Sequence, residues 1–129
     1  NLGETWTVDG LFSLTITDIE VTDERNPYSE KDPAQVVRIT YDYENIGYEG
    51  DIQDLFLVPD RVIDATGEMG TTYPIDTNPP TPTPIGAKMT GAQEAFGLNN
   101  ESDVIKVLFE TYDQNLNNHK ATFEIEIPQ

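Results

Sequence analysis

The chain has 129 residues, no cysteine, and 24 acidic against 7 basic side chains, a formal net charge of −17. Without thiols the fold rests on no disulfide and no thiolate metal site, and a single histidine excludes zinc sites built mainly from His and Cys. Seven scattered bases cannot supply the clustered Lys and Arg that phosphate recognition needs, so nucleic acid and anionic membrane surfaces are poor partners.

Trp6-Thr7-Val8 reads as a short strand, and Asp9-Gly10 behind it as a hairpin turn. Leu11 to Val21 continues as a strand. Phe12, Leu14 and Ile16 share one face, but the apolar phase then moves to Ile19 and Val21. One extra residue flips the faces beyond it, so this change of parity predicts a β-bulge. Thr22 to Pro33 is polar with two prolines and is expected to cross between sheets. From Val36 to Gly47 the alternation is cleanest. Val37, Ile39, Tyr41 and Tyr43 fall on one face and Arg38, Thr40, Asp42 and Glu44 on the other, the pattern of a half-buried central strand. Asn45 and Gly47 supply the turn that ends it.

Tyr48 to Asp54 reads as an acidic loop, and Leu55 to Val58 as a short apolar strand interrupted at Pro59-Asp60. Arg61 to Asp64 is extended, Ala65 to Gly70 is a turn region, and Thr71 to Tyr73 is expected to pair back on that extended piece. The run Pro79-Pro80-Thr81-Pro82-Thr83-Pro84 favours polyproline II and cannot be an inner strand. It would suit an aromatic-lined groove or O-glycosylation, but a stiff internal connection is the preferred reading. Lys88 to Leu98 reads as a strand, because Gly91 and Gly97 bracket its middle too closely for a helix of useful length. Asn99 to Asp103 is a loop, and Val104 to Glu110 a strand with Ile105, Val107 and Phe109 on one face. Thr111 to Lys120 is a polar turn region. Ala121, Phe123, Ile125 and Ile127 then alternate with Thr122, Glu124 and Glu126 in a last half-buried strand.

Strands separated by turn signals, with no amphipathic helix, predict an all-β fold, an antiparallel β-sandwich of about seven to nine strands. The length is that of one domain spanning residues 1–129, with about two-thirds of the unfolded surface buried. The order of features resembles the immunoglobulin-like, or telokin-like, domains of bacterial surface lipoproteins, related to a secreted immunoprotective antigen. The resemblance is carried by Trp6 to Gly10 leading into Phe12 to Ile19, and by Val36 to Tyr43 closing on Glu44-Asn45. Val62 to Gly67, with its Asp-x-x-Gly turn, and Gly91 to Phe96 ahead of Val104 to Phe109 continue it. The proline run and the stretch from Thr22 to Pro33 depart from that pattern. The resemblance implies an immunoglobulin-like sandwich, an exported or cell-envelope-anchored location, and no catalysis. The function of that family is largely unknown.

No apolar run is long enough to span a membrane. The first residue is Asn1, with no basic leader and no apolar signal core, which reads as a trimmed piece whose signal or lipid anchor lies upstream. Nine acids lie between Tyr41 and Ala87 against the single base Arg61. Solubility and self-repulsion are the preferred meaning of that charge, with cation binding as the sharper one.

The cation candidate is Asp113, Asn115 and Asn117 with Glu124, which approximates the oxygen spacing of a calcium loop. A plain polar hairpin turn is the preferred reading of the same residues, and no resident cofactor is expected. His119 would have to join Ser13, Ser29 or Ser102 to build a Ser-His-Asp triad, and a surface-turn histidine is the expectation instead. Tyr28, Tyr48 and Tyr73 fall in loops or at strand ends. They would stack on sugars or form a protein-binding hot spot if grouped at one end, and otherwise cap the core. The expected function is therefore a non-catalytic protein-interaction or adhesion module at the cell surface. An accessory module for carbohydrate or calcium is the alternative. A protein or glycan partner is implied in either case.

Overall fold

The computed structural model describes residues 4–23, 33–48, 55–75, 77–112 and 118–127. Eight strands follow in chain order: β1 (Thr5–Val8), β2 (Phe12–Thr22), β3 (Gln35–Asn45), β4 (Arg61–Ile63), β5 (Thr71–Thr72), β6 (Lys88–Leu98), β7 (Val104–Tyr112) and β8 (Asn118–Glu126). There is no helix among the described residues, hence none long and apolar enough to cross a membrane. One sheet has the order β1-β2-β3-β6-β5 and the other β4-β7-β8. Every ladder is antiparallel. With β1 set aside, β2-β3-β6-β5 facing β4-β7-β8 is the ABED and CFG arrangement of a constant-type immunoglobulin sandwich.

Period-two patterning builds the core. Phe12, Leu14, Ile16 and Ile19 of β2 and Val37, Ile39, Tyr41 and Tyr43 of β3 turn inward in one sheet. Ile105, Val107 and Phe109 of β7 and Phe123 and Ile125 of β8 meet them from the other. Each such side chain contributes on the order of 1.5–3 kcal/mol relative to exposure. Tyr41 and Phe109 cross the interface edge to face, with ring centroids 5.5 Å apart. They join β3 to β7, the two strands that a disulfide links in antibody domains.

The parity change in β2 is a bulge. Ile16 pairs with Tyr41 and Asp18 with Thr40, leaving Thr17 as the extra residue. Beyond it Ile19 is buried, whereas Val21 is 43% exposed. A second irregularity falls where β3 meets β6, between Tyr41 and Tyr43. Gly91 takes φ +72° there and its amide donates to Asp42 Oδ1 at 2.7 Å. A left-handed glycine inside a bulge is what the ladder requires.

Several boundaries differ from the expected ones. Leu55 to Val58 forms no strand; Leu55 makes only an isolated bridge to Thr83, although Leu55 and Leu57 are buried. Pro59 removes a ladder donor just beyond this segment. Side chains of β3 take over the missing bonds: the Tyr41 hydroxyl donates to the Leu57 carbonyl at 2.7 Å and Tyr43 to Thr81 at 2.8 Å. Burial raises the pKa of both hydroxyls, so they remain donors. The proline run is a connection between β5 and β6, pinned where Asn45 Nδ2 donates to the Thr83 carbonyl at 2.9 Å.

Thr71–Thr72 pairs with β6 rather than β4; Met69 and Gly70 are the residues that turn back on Ile63 and Val62. The connection from Thr22 to Pro33 joins neighbours in one sheet, since β2 and β3 pair directly, and does not cross between sheets. The last hairpin is longer than its polar composition suggested. β7 runs to Tyr112 and β8 starts at Asn118, because cross-strand pairs such as Glu110 with Lys120 extend the ladder.

Candidate functional site

The two ends of the sandwich are built from different chemistry. At one end, β2 finishes and β3 begins beside the loop that leads into β7. Gln35 and Ser102, both buried, exchange two hydrogen bonds: the Ser102 amide donates to Gln35 Oε1 at 2.9 Å, and Gln35 Nε2 donates to the Ser102 carbonyl at 3.3 Å. The Ser102 hydroxyl donates to the Asn100 carbonyl and accepts the Ala65 amide at 3.0 Å. Asn100 Nδ2 in turn reaches Asp64 Oδ2 at 2.9 Å.

Asp64 is the hub of the β4–β5 turn. Its Oδ1 accepts the Thr66 amide at 2.9 Å, the Thr66 hydroxyl at 2.7 Å and the Glu68 amide at 3.0 Å. Only 5% of the residue is exposed. Burial pushes the carboxyl up, but the bonds from Asn100, Thr66 and Glu68 outweigh it and hold the pKa at about 2. The Asp-x-x-Gly signal is thus a turn whose carboxylate is occupied by its own chain; Gly67 takes φ +95° within it.

This bracket fixes the lip of an open groove of about 870 Å³. It is lined by Asp18, Ile19, Glu20 and Val21 of β2, by Gln35 of β3, and by Glu101, Ser102 and Asp103 of the loop before β7. Four of its lining residues are acidic and none is basic among the described residues. On the outer face of the sheet Arg38 pairs with Glu20.

The opposite end is aromatic. Phe12 is met edge to face by Trp6 at 4.9 Å, by Tyr48 at 6.4 Å and by His119 at 6.3 Å. Tyr48 donates to the Tyr112 carbonyl at 2.7 Å. Asn45, fully buried, holds the turn by accepting the Tyr48 amide at 2.7 Å and donating to the Tyr48 carbonyl at 3.0 Å. Gly47 is required here, because a Cβ would collide with the Gly10 carbonyl oxygen.

The residues singled out in the sequence are dispersed. Asp113, Asn115, Asn117, Tyr28 and Ser29 lie outside the described residues. Glu124 is exposed on β8 opposite Lys106, six residues past Asn118 and so about 20 Å along the strand. Among the described residues no group of three or more His, Asp or Glu is placed to hold a metal ion. His119 is a half-buried strand residue, not a turn residue, because the hairpin is longer than expected and turns the ring onto Phe12. Ser102 belongs to the polar bracket at the other end. Tyr48 caps the core at the aromatic end, whereas Tyr73 is 4% exposed and lies beside Gly97 at the polar end.

The groove residues Asp18, Glu20, Glu101 and Asp103 had no motif to mark them. No family model matches the chain, and neither a curated protein nor a solved structure matches it.

Proposed function

We propose that the chain is a non-catalytic, immunoglobulin-like module of an exported or cell-surface protein, engaged in protein interaction or adhesion. The observation that supports this best is the groove lined by Asp18, Glu20, Glu101 and Asp103. The buried polar groups near it serve as scaffold: Gln35 and Ser102 bond to each other, and Asp64 is occupied by Asn100, Thr66 and Glu68. An outward acidic surface on a rigid sandwich suits recognition of another macromolecule. The resemblance to surface lipoprotein domains supports the location. Fractionation of the native full-length protein tests it: recovery with the envelope or the medium is expected, and recovery in the cytosol overturns the reading.

Carbohydrate or calcium binding is the second reading, favoured by the Asp113, Asn115, Asn117 spacing. It requires a signal on a glycan array or a rise in melting temperature with calcium. Silence in both removes it.

A further inference from the structure

We infer that the outer face of the β4-β7-β8 sheet is a dimer interface whose occupant is a second copy of this chain. The inference goes beyond the interaction-module reading, and no residue that lines the groove belongs to this face. Val62, Ile105, Val107, Phe109, Phe123 and Ile125 are in the core, so the residues that alternate with them point away from it. The ladders set these outward residues in rows. Ile63, Lys106 and Glu124 form one row, Arg61, Leu108 and Thr122 the next, and Glu110 with Lys120 a third. Ile63, Val104 and Leu108 are half-buried, and Tyr112 at the end of β7 is 52% exposed. Lys106, Glu110, Lys120, Thr122 and Glu124 around them are exposed.

The charge pattern names the occupant. Lys106 and Glu110 stand about 13 Å apart along β7. Glu124 and Lys120 stand opposite them on β8, in that order. Sign therefore alternates both across and along the strands, and such a checkerboard is complementary to its own copy. When two copies face each other about a two-fold axis parallel to the strands, Lys106 meets Glu124 of the second copy and Glu110 meets Lys120. About an axis across the strands, Lys106 meets Glu110 and Glu124 meets Lys120. Leu108 lies between the four charges in either case, which gives an isologous contact an apolar centre. Glu110 and Lys120 already pair at 3.9 Å, and the second copy adds to that pair, because a carboxylate accepts and an ammonium donates several bonds. Arg61, Lys106 and Lys120 are three of the chain's 7 bases, set here against Asp60, Glu110, Glu124 and Glu126. The face is thus close to neutral on a chain at −17, and a second copy meets the least repulsion there. Two strands of 9 residues and a shorter one make a face roughly 30 Å by 14 Å, small for a specific interface, so the dimer is reversible.

The test is sedimentation equilibrium of the 129-residue chain at about 0.15 M salt, where screening over ~8 Å shortens the general repulsion. A monomer–dimer equilibrium is expected. K106E, E110K and E124K should each weaken it about tenfold, since each sets like charges against one another across the interface. Mixing K106E with E124K should restore association for the axis along the strands, and mixing K106E with E110K for the axis across them. Leu108→Asp should abolish the dimer with β-sheet circular dichroism retained. The groove variant D18N/E101Q should match the parent.

A chain that stays monomeric up to about 1 mM overturns the proposal. So does a dimer indifferent to K106E and to Leu108→Asp, which places the contact on another surface. Failure of both mixtures to restore association overturns it as well. The mixtures change only exposed side chains, so they decide the matter even if Leu108→Asp fails to fold.

Discussion

The sandwich closes its two ends by different means. At the aromatic end Phe12 is enclosed by Trp6, Tyr48 and His119, and stability there comes from removing apolar surface from water. At the polar end Gln35, Ser102, Asn100 and Asp64 tie three separate segments by directional bonds, one of them ending on a charged carboxylate. Apolar packing tolerates small rearrangements and is indifferent to pH. A hydrogen-bonded bracket holds its geometry closely, and its charged hub makes it sensitive to acid. The groove lies beside the bracketed end, where Glu101 and Asp103 flank the anchored Ser102. A rigid rim of fixed charge arises more readily from such a bracket than from packed rings.

The comparison can be broken by substitutions at each end. Phe12→Ala should have the largest effect, a loss of about 3–5 kcal/mol in urea unfolding, equal at neutral and acidic pH. Asp64→Ala should cost about 2–3 kcal/mol at neutral pH, since several charge-assisted bonds are lost together. Its acid dependence is the sharper distinction. The folded-state pKa of about 2 lies below the ordinary 3.8, so the carboxylate stabilises fully above the higher value. That contribution is lost as pH falls through the lower one. Unfolding curves taken between neutral pH and pH ~2 should therefore converge for the parent and Asp64→Ala, whereas those for the parent and Phe12→Ala stay parallel.

Gly47→Ala should cost about 1–3 kcal/mol, because the added methyl forces the β1–β2 turn away from the Asn45 turn. A drop in melting temperature with retained β-sheet circular dichroism is the expected readout. Tyr48→Phe should be the mildest, about 0.5–1 kcal/mol, losing one bond to the Tyr112 carbonyl at the surface. If Tyr48→Phe proved as damaging as Asp64→Ala, the aromatic end would be held by its polar contacts and the contrast would fail.

Much of the fold could be read in advance because its strands alternate. Phe12 to Ile19, Val37 to Tyr43, Ile105 to Phe109 and Phe123 to Ile127 all bury the faces their patterns indicated, and the bulge in β2 appeared as a shift of phase. Leu55 to Val58 misled for a definite reason. An apolar run reports burial, not pairing, and these residues are buried without a ladder. The groove was not readable, since its walls come from β2 and from the loop before β7, some 80 positions apart. Neither stretch carries an internal pattern that refers to the other.

Local chemistry determined the strands, their buried faces, the turns at Gly10 and Asn45, and the strong negative charge, because periodicity and backbone preference act over a few residues. Tertiary structure alone decided that β5 joins β6, that Tyr41 and Tyr43 hold the proline-bearing segments, and that Asp18, Glu20, Glu101 and Asp103 line one groove. Those relations are set by which sheets pack together and where β1 ends along β2, and packing between distant segments leaves no mark on the spacing within either one.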